Sequence, residues 1–190
     1  MQKIIMTLPF FDTAVMDFVQ QNFHNPVTDA VFPALTYLGE YGMIWIVAAL
    51  CMLFFKKSRT CGMLCLCALA AAYLFGEVFL KNVIGRARPF ESFPDIPLLI
   101  PPPESFSFPS GHSASSFTAA VVIFWYNKKA GTAALVLAAL IAFSRVFLFV
   151  HYPTDIIAGA VLGAFFGILT IGVYKLIYRK KHGKAPKQRQ

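Results

Sequence analysis

Two histidines and one aspartate have the side chains best suited to catalysis in this sequence. Asp155 follows His151 by four residues and lies at the start of a helix that Pro153 would begin. A carboxylate there can fix the imidazole tautomer and stabilise its cation, so His151 can attack phosphorus. His112 lies in a different segment and can protonate the departing oxygen. Because no carboxylate cluster suits magnesium, we expect no metal site and no cofactor.

Three cations indicate what this chemistry acts on. Lys81, Arg88 and Arg145 would together attract a tetrahedral dianion such as phosphate, since arginine offers a planar pair of donors and lysine a point charge. Ser110 and Gly111 lie where a loop enters a helix, so backbone N–H groups there can form an anion nest. The residue types therefore predict a phosphoryl-transfer site.

These residues fall into three motifs that resemble those of the type 2 phosphatidic acid phosphatase (PAP2) superfamily. Lys81–Pro89 is similar to its K-x6-R-P motif, Pro109–His112 to its P-S-G-H motif, and Ser144–Asp155 to its S-R-x5-H-x3-D motif. All three are complete and in the family's order. The resemblance covers residues 81–155 directly and is highly specific, since each motif alone would be weak evidence.

The resemblance also implies a role for each residue. His151 would be the nucleophile that forms a phosphohistidine, Asp155 would support it, and His112 would be the general acid. The remaining motif residues would hold the phosphoryl oxygens: Lys81, Arg88, Arg145, Ser110 and Gly111.

Each residue alone also has a simpler interpretation. Lys81 could be a lysine whose side chain extends from a span end to the membrane surface, and His112 or His151 could pack in a core. Ser144 could contact phosphate or only cap and pack. Arg86, outside the motifs, could touch a headgroup, but we expect it to be solvated. Chance packing poorly explains so many polar residues at the ends of different apolar segments, so we favour the functional interpretation.

Composition indicates where such a site would lie. Hydrophobic residues make up 57% of the 190 residues and charged residues 14%, against about 25% charged in ordinary soluble domains. Several apolar runs approach the roughly 20 residues that cross a bilayer: 61–80, 113–126, 130–150 and 156–178. We therefore predict an all-α, polytopic membrane helical bundle with about five transmembrane spans. A vanadium-dependent haloperoxidase would share the motifs, but those proteins are soluble.

The chain divides into three predicted parts. Residues 1–36 form amphipathic segments that we expect in the membrane interface. Residues 37–178 form the transmembrane phosphatase domain, in which 85–110 is a proline-rich outer loop without regular helix. Residues 179–190 form a basic cytoplasmic tail. The predicted spans are about 37–55, 60–82, 112–127, 130–148 and 153–177.

Charge predicts the orientation. With the C-terminus in the cytoplasm, each basic cluster between spans also faces the cytoplasm, as the positive-inside rule requires: Lys56, Lys57 and Arg59, and then Lys128 and Lys129. The three motifs then meet at the extracytoplasmic face of the cell (inner) membrane. A basic tail next to an apolar span indicates contact with anionic lipid and not with nucleic acid.

We therefore predict a membrane lipid phosphatase that hydrolyses a phosphate or diphosphate headgroup. The compact size and outward site are most similar to bacterial members that recycle the undecaprenyl carrier of cell-wall synthesis, so undecaprenyl diphosphate is the favoured substrate. Phosphatidylglycerol phosphate, phosphatidic acid and lipid A phosphate are alternatives. A non-catalytic phospholipid-binding protein or transporter would need the cations but not the His151–Asp155 pair.

Overall fold

The described part of the chain is entirely helical. The computed structural model describes residues 2–183, with backbone alone for residues 2–9. Within that range it forms nine α-helices and no strand, so the all-α prediction is confirmed. The helices are α1 (Gln2–Asn22), α2 (Pro26–Leu38), α3 (Met43–Phe54), α4 (Arg59–Tyr73), α5 (Lys81–Ile84), α6 (Pro89–Ser92), α7 (Gly111–Tyr126), α8 (Lys128–Phe147) and α9 (Pro153–His182). A 3-10 turn precedes α3 and a π-helical segment (Leu74–Leu80) joins α4 to α5.

Several of these helices are long and apolar enough to cross a bilayer. They are α8, α9 and the 34-residue stretch Arg59–Ser92; the pair α2 and α3, bent by 44°, would make a fourth span. Helix α7 has 16 residues, or about 24 Å of helix. Residues 184–190 lie outside the described part. The protein is a multi-pass membrane protein, and the count of five spans stays a prediction.

The first predicted span, about 37–55, is not one continuous helix. Helix α2 already begins at Pro26, where the Asn25 side chain caps it by accepting hydrogen bonds from the Val27 and Thr28 amides. The chain then breaks because Tyr41 and Gly42 have φ values of 48° and 69°, a left-handed backbone that a helix cannot contain.

Helix α7 lies at the centre of the bundle, packed against α4, α8 and α9. Small residues on α9 allow the closest approach. A Cβ added to Gly159 would lie 2.4 Å from the Ser110 carbonyl oxygen, and one added to Gly163 would lie 2.2 Å from that of Ala114. Glycines four residues apart are a common helix-packing face in membranes. This packing holds the start of α7 against the start of α9, where two of the sequence motifs lie.

The N-terminal helix α1 packs on the bundle and also presents apolar residues to its surroundings. Met16 and Val19 are buried in a cluster with Phe147, and the Gln20 amide donates to the Phe147 carbonyl oxygen at 3.0 Å. Phe10 is 80% exposed. The assignment of residues 1–36 to amphipathic segments in the membrane interface stays a prediction.

The proline-rich segment 85–110 is irregular except for α6. This helix is a single turn with Pro89 at its first position, where the missing N–H group costs nothing, so the expectation of no regular helix was wrong there. The Ser107 amide donates to the Arg86 carbonyl oxygen at 2.8 Å and closes the segment on itself. The segment thereby brings Ser105 and Ser107 beside the ends of the long helices.

Candidate active site

The structure brings the three motif segments together at one end of the bundle. The Ser110 amide donates to the Asp155 carbonyl oxygen at 3.1 Å, which joins the second motif to the third. Arg88 Nη1 lies 3.3 Å from His151 Nε2 and donates to the Val150 carbonyl oxygen at 2.7 Å, which joins the first motif to the third. The site therefore lies where α5, α7, α8 and α9 begin or end.

His151 and Asp155 form a buried pair at the start of α9. His151 Nδ1 lies 3.5 Å from Asp155 Oδ2 and 3.4 Å from Ser107 Oγ. The same carboxylate oxygen accepts hydrogen bonds from Ser107 Oγ at 2.5 Å and from the Tyr152 amide at 2.9 Å. With the Nδ1 proton facing the carboxylate, the lone pair lies on Nε2, next to Arg88.

A tight turn at the end of α8 fixes His151 relative to Arg145. The Val150 and His151 amides both donate to the Arg145 carbonyl oxygen, at 3.1 Å and 3.2 Å. Phe149 has a φ of 60°, a conformation that costs about 1–3 kcal/mol in a residue with a side chain and is found preferentially at functional sites. Apolar burial holds the turn, because Leu148, Phe149 and Val150 are all buried.

The environment of His151 keeps its imidazole neutral. Burial lowers the pKa of His151 well below its ordinary value, and the positive charges of Arg88, Arg145 and Lys81 lower it further. A neutral imidazole at neutral pH is the form that can attack phosphorus.

The three predicted phosphate-binding cations are all buried here, each with a different set of partners. Lys81 Nζ lies 2.8 Å from both carboxylate oxygens of Glu77, in the π-helical segment. The Arg88 guanidinium donates to the Ser105 carbonyl oxygen at 2.6 Å and to Ser105 Oγ at 3.1 Å. These contacts fix the orientation of the Lys81 and Arg88 side chains, and their binding of an oxyanion stays a prediction.

Two polar atoms at the site are buried without a hydrogen-bond partner in the described part of the chain. They are Arg145 Nε and His112 Nε2. Arg145 Nη1 donates to Thr36 Oγ1 at 2.5 Å, and the nearest carboxylate oxygen to His112 Nε2 is that of Glu40, at 3.9 Å. A buried donor without an acceptor costs about 1–3 kcal/mol, and a phosphoryl oxygen would supply an acceptor to Arg145 Nε. His112 Nε2 donates only when it carries a proton, which in the predicted role it would give to the leaving-group oxygen.

The start of α7 approaches the Glu77–Lys81 pair closely. A Cβ added to Gly111 would lie 2.1 Å from Glu77 Oε1, so any larger residue would displace the carboxylate that pairs with Lys81. Ser110 is buried, and its hydroxyl caps α7 by accepting from the Ser113 amide at 3.4 Å. The helix N-terminus therefore faces the cations, and contact of Ser110 and Gly111 with phosphate stays a prediction.

The expectation that Arg86 is solvated was wrong in the main, because its side chain is only 27% exposed and its guanidinium is bound by protein groups. Its guanidinium donates to Asp155 Oδ1 at 2.6 Å and to Asp12 Oδ2 at 2.7 Å, and it stacks 3.9 Å above the Tyr152 ring. Gly85, with a φ of 59°, turns the chain so that Arg86 points between the two carboxylates. The hydroxyl of Ser144, for which two interpretations were open, donates to the Ile141 carbonyl oxygen within α8.

Several residues at the site had no signal in the sequence. They belong to segments outside the motifs or to the interior of the proline-rich loop, and no spacing relates them to a catalytic residue: Asp12, Thr36, Glu40, Ser105 and Ser107. For Glu77 a signal existed, since it precedes Lys81 by one helical turn within an apolar run, where an unpaired carboxylate is costly.

Known proteins are similar to this chain in sequence. The PAP2 superfamily model matches residues 61–179. An undecaprenyl-diphosphatase of Sulfolobus acidocaldarius is 33% identical over 73% of this chain and 68% of its own length. A lipid A 1-phosphatase of Rhizobium johnstonii is 32% identical over 80% of this chain and 73% of its own length.

A solved structure agrees with these matches. The PAP2-type phosphatidylglycerolphosphate phosphatase of Bacillus subtilis superimposes with a TM-score of 0.72 at 30% identity, covering 87% of this chain and 85% of that one. With the motifs assembled at one end of a membrane helical bundle, the chain belongs to the PAP2 superfamily and is a membrane lipid phosphatase.

Proposed function

We propose that this phosphatase hydrolyses undecaprenyl diphosphate through a phosphohistidine on His151. The observation that supports the mechanism is the buried His151 imidazole, held between the Asp155 carboxylate and the Arg88 guanidinium. This arrangement points a neutral nitrogen toward the space that Lys81 and Arg145 also border. A phosphate-binding protein that cleaves nothing has no need of the His151–Asp155 pair.

The reaction has two steps. His151 Nε2 attacks the terminal phosphorus, the bond from phosphorus to the bridging oxygen breaks, and His112 gives its proton to that oxygen as undecaprenyl phosphate leaves. Water then attacks the phosphohistidine, His112 takes a proton from the water, and the N–P bond breaks to release inorganic phosphate. Asp155 stabilises the imidazolium character of His151 in both steps, and the three cations bind the oxygens of the transferred group.

The relatives support this choice of substrate without restricting it to one lipid. Their names give undecaprenyl diphosphate, lipid A and phosphatidylglycerolphosphate as substrates of those proteins. Phosphatidic acid and the last two lipids are therefore the alternatives for this chain. All share a terminal phosphoryl group on an apolar anchor, which suits a site at the end of a membrane bundle.

The charge distribution supports an extracytoplasmic site. The basic residues that join α3 to α4 and α7 to α8, and those in the last turn of α9, lie at the helix ends opposite the site. By the positive-inside rule, those ends and the C-terminus face the cytoplasm of the cell membrane.

The test is phosphate release from four lipids by purified protein in detergent with EDTA: undecaprenyl diphosphate, phosphatidylglycerol phosphate, phosphatidic acid and lipid A. We expect release that is fastest from undecaprenyl diphosphate, lost in His151→Ala, and retained in the control His182→Ala at the far end of α9. Faster release from another lipid would reassign the substrate. Binding of these lipids without any release would overturn the hydrolase mechanism.

A further inference from the structure

Arg86 bridges two buried carboxylates, one on the N-terminal helix and one at the active site. It donates to Asp12 Oδ2 and to Asp155 Oδ1, at 2.7 Å and 2.6 Å. Both carboxylates are 0% exposed, whereas the Arg86 side chain is 27% exposed. Asp12 lies outside the region that the family model matches, residues 61–179, and neither Asp12 nor Arg86 belongs to the three motifs.

Asp12 also binds the first turn of α9 directly. One of its oxygens accepts from the Thr154 amide at 2.9 Å and the other from Thr154 Oγ1 at 2.7 Å. Arg86 Nη1 donates to the same hydroxyl at 2.8 Å. A carboxylate at a helix N-terminus is favourable because free N–H groups and the helix dipole point toward it. Helix α1 therefore fixes, through Asp12, the position of Thr154, which immediately precedes Asp155.

The two oxygens of Asp155 have separate partners as a result. Oδ1 accepts from Arg86, while Oδ2 accepts from Ser107 and faces His151 Nδ1. The Arg86 contact therefore fixes the rotation of the carboxylate that orients His151. The positive charge of Arg86 also lies next to that carboxylate and weakens the electrostatic stabilisation that Asp155 gives to an imidazolium. The negative charge of Asp12, on the other side of Arg86, offsets this effect.

From these contacts we infer that Asp12 and Arg86 are positioning residues, which set the orientation and the effective charge of Asp155 and thereby the reactivity of His151. The inference rests on the proposed function, in which His151 attacks phosphorus. It makes α1 a part of the active site, because the helix supplies the counter-charge for a residue that contacts the catalytic carboxylate.

A positioning role predicts opposite effects from the two residues. Asp12→Asn leaves the Arg86 charge without its counter-charge, so protonation of His151 becomes harder and the acid limb of the pH profile moves to lower pH. Arg86→Gln removes the cation from Asp155, so the acid limb moves to higher pH. The other charged and titratable groups facing His151 stay in place in both variants: Arg88, Lys81, Arg145, His112 and Asp155.

The double variant distinguishes charge balance from simple damage. Asp12→Asn with Arg86→Gln removes one negative and one positive charge, so its acid limb should return close to that of wild type. Loss of packing would instead make the double variant at least as impaired as either single one. Each single shift should be about half to one pH unit, as expected for a unit charge that acts on the imidazole through the Asp155 carboxylate.

The experiment measures kcat and KM from pH 4 to 8 for phosphate release from undecaprenyl diphosphate. It compares wild type, Asp12→Asn, Arg86→Gln, the double variant and Arg86→Lys. We expect kcat to fall about 10- to 100-fold in the single variants with little change in KM, and Arg86→Lys to recover part of the loss. The matched control is Asp29→Asn, which changes a carboxylate that lies 2.7 Å from His24 Nδ1 and has no contact with Asp155, and it should leave kcat and the pH profile unchanged.

A second readout separates failure of this inference from failure of the proposed function. Binding of inorganic orthovanadate, a phosphoryl analogue, is followed by 51V NMR over the same pH range and should show the same opposite shifts. Wild-type hydrolysis with pH profiles that do not move, or that move in the same direction, would overturn the positioning role. Vanadate shifts without hydrolysis would overturn only the proposed function, and a wild type that neither hydrolyses nor binds vanadate would overturn both.

Discussion

The His151 imidazole is enclosed by protein and surrounded by cations, and both lower its pKa. Enclosure in a low-dielectric site disfavours the charged form, and Arg88, Arg145 and Lys81 disfavour it further. The cations that we propose to hold a phosphoryl group would therefore also keep the proposed nucleophile deprotonated. Substrate binding introduces negative charge that opposes the cations, so the imidazolium character that develops during attack becomes easier to support.

This environment predicts the pH dependence of the reaction. Because the pKa of folded His151 lies below the ordinary value of about 6.5, protonation and loss of attack occur only as the pH falls below that value. We expect kcat/KM to be undiminished on passing from pH 7.5 to pH 6.5 and to decline at lower pH. The measurement is kcat/KM against pH in detergent, repeated with a second lipid whose phosphate has a different pKa. An acid limb at or above pH 6.5 with both lipids would contradict it.

The sequence identified the catalytic candidates but not the residues that hold them. The motif residues have fixed spacing, so one sequence suffices to place Asp155 in the first turn of a helix that begins at Pro153, with His151 just before that helix. Ser107 and Asp12 contact Asp155 or its partner Arg86 across 48 and 74 residues of sequence. Such contacts depend on the path of a loop and on the packing of an amphipathic helix, and no local pattern specifies either.

At the scale of elements, the close approach of α7 and α9 determines where the site can form. Thr118 Oγ1 donates to the Ala114 carbonyl oxygen at 2.7 Å and to that of Gly163 at 3.1 Å, a bond between helices that only a small residue allows. Because α7 begins at Gly111 and α9 at Pro153, their packing sets the distance between His112 and the His151–Asp155 pair.

The glycine face can be tested with two substitutions in the same helix. In Gly163→Ala the new Cβ would lie 2.2 Å from the Ala114 carbonyl oxygen, so the helices must separate and we expect about 1–3 kcal/mol of destabilisation with reduced activity. Gly172→Ala is the control, since nothing lies within 4 Å of its added Cβ, and the better helix propensity of alanine should leave stability equal or slightly higher. Thermal unfolding in detergent measures both. Equal stability of the two variants would refute the close-packed face.

Helices were predicted correctly where an apolar run is long, and incorrectly where the backbone conformation of one or two residues interrupts the helix. The spans expected at about 130–148 and 153–177 correspond to α8 and α9, within a few residues at each end of α8 and with α9 continuing to His182. The span expected at 37–55 is interrupted, because hydropathy does not register the left-handed conformations of Tyr41 and Gly42. That interruption has a use, since it brings Glu40 and Thr36 beside His112 and Arg145.

At the scale of the whole molecule, charge separates the two ends of the bundle. The three predicted phosphate-binding cations are buried, Lys81 is paired with Glu77, and a phosphate would neutralise their charge further. The cations at the opposite end lie in exposed connections and in the last turn of α9, where they can contact anionic headgroups. An orientation with the site outside is compatible with both groups of cations. The positive-inside rule concerns the exposed cations, which would then face the cytoplasm, whereas the buried cations of the site would face the phosphate.

This orientation can be tested with single cysteines, after the four natural ones are replaced by alanine and activity is checked. Glu104→Cys lies in the exposed part of the proline-rich segment beside the site, and Lys129→Cys lies at the exposed start of α8. In intact cells we expect a membrane-impermeant maleimide to label Glu104→Cys and to leave Lys129→Cys unmodified, because the bilayer separates the reagent from the cytoplasmic end. Permeabilised cells should label both, which shows that each thiol is reactive. The opposite pattern would place the site in the cytoplasm, so that its lipid would have to present its phosphate from the inner leaflet, while the chemistry of His151 would be unaffected.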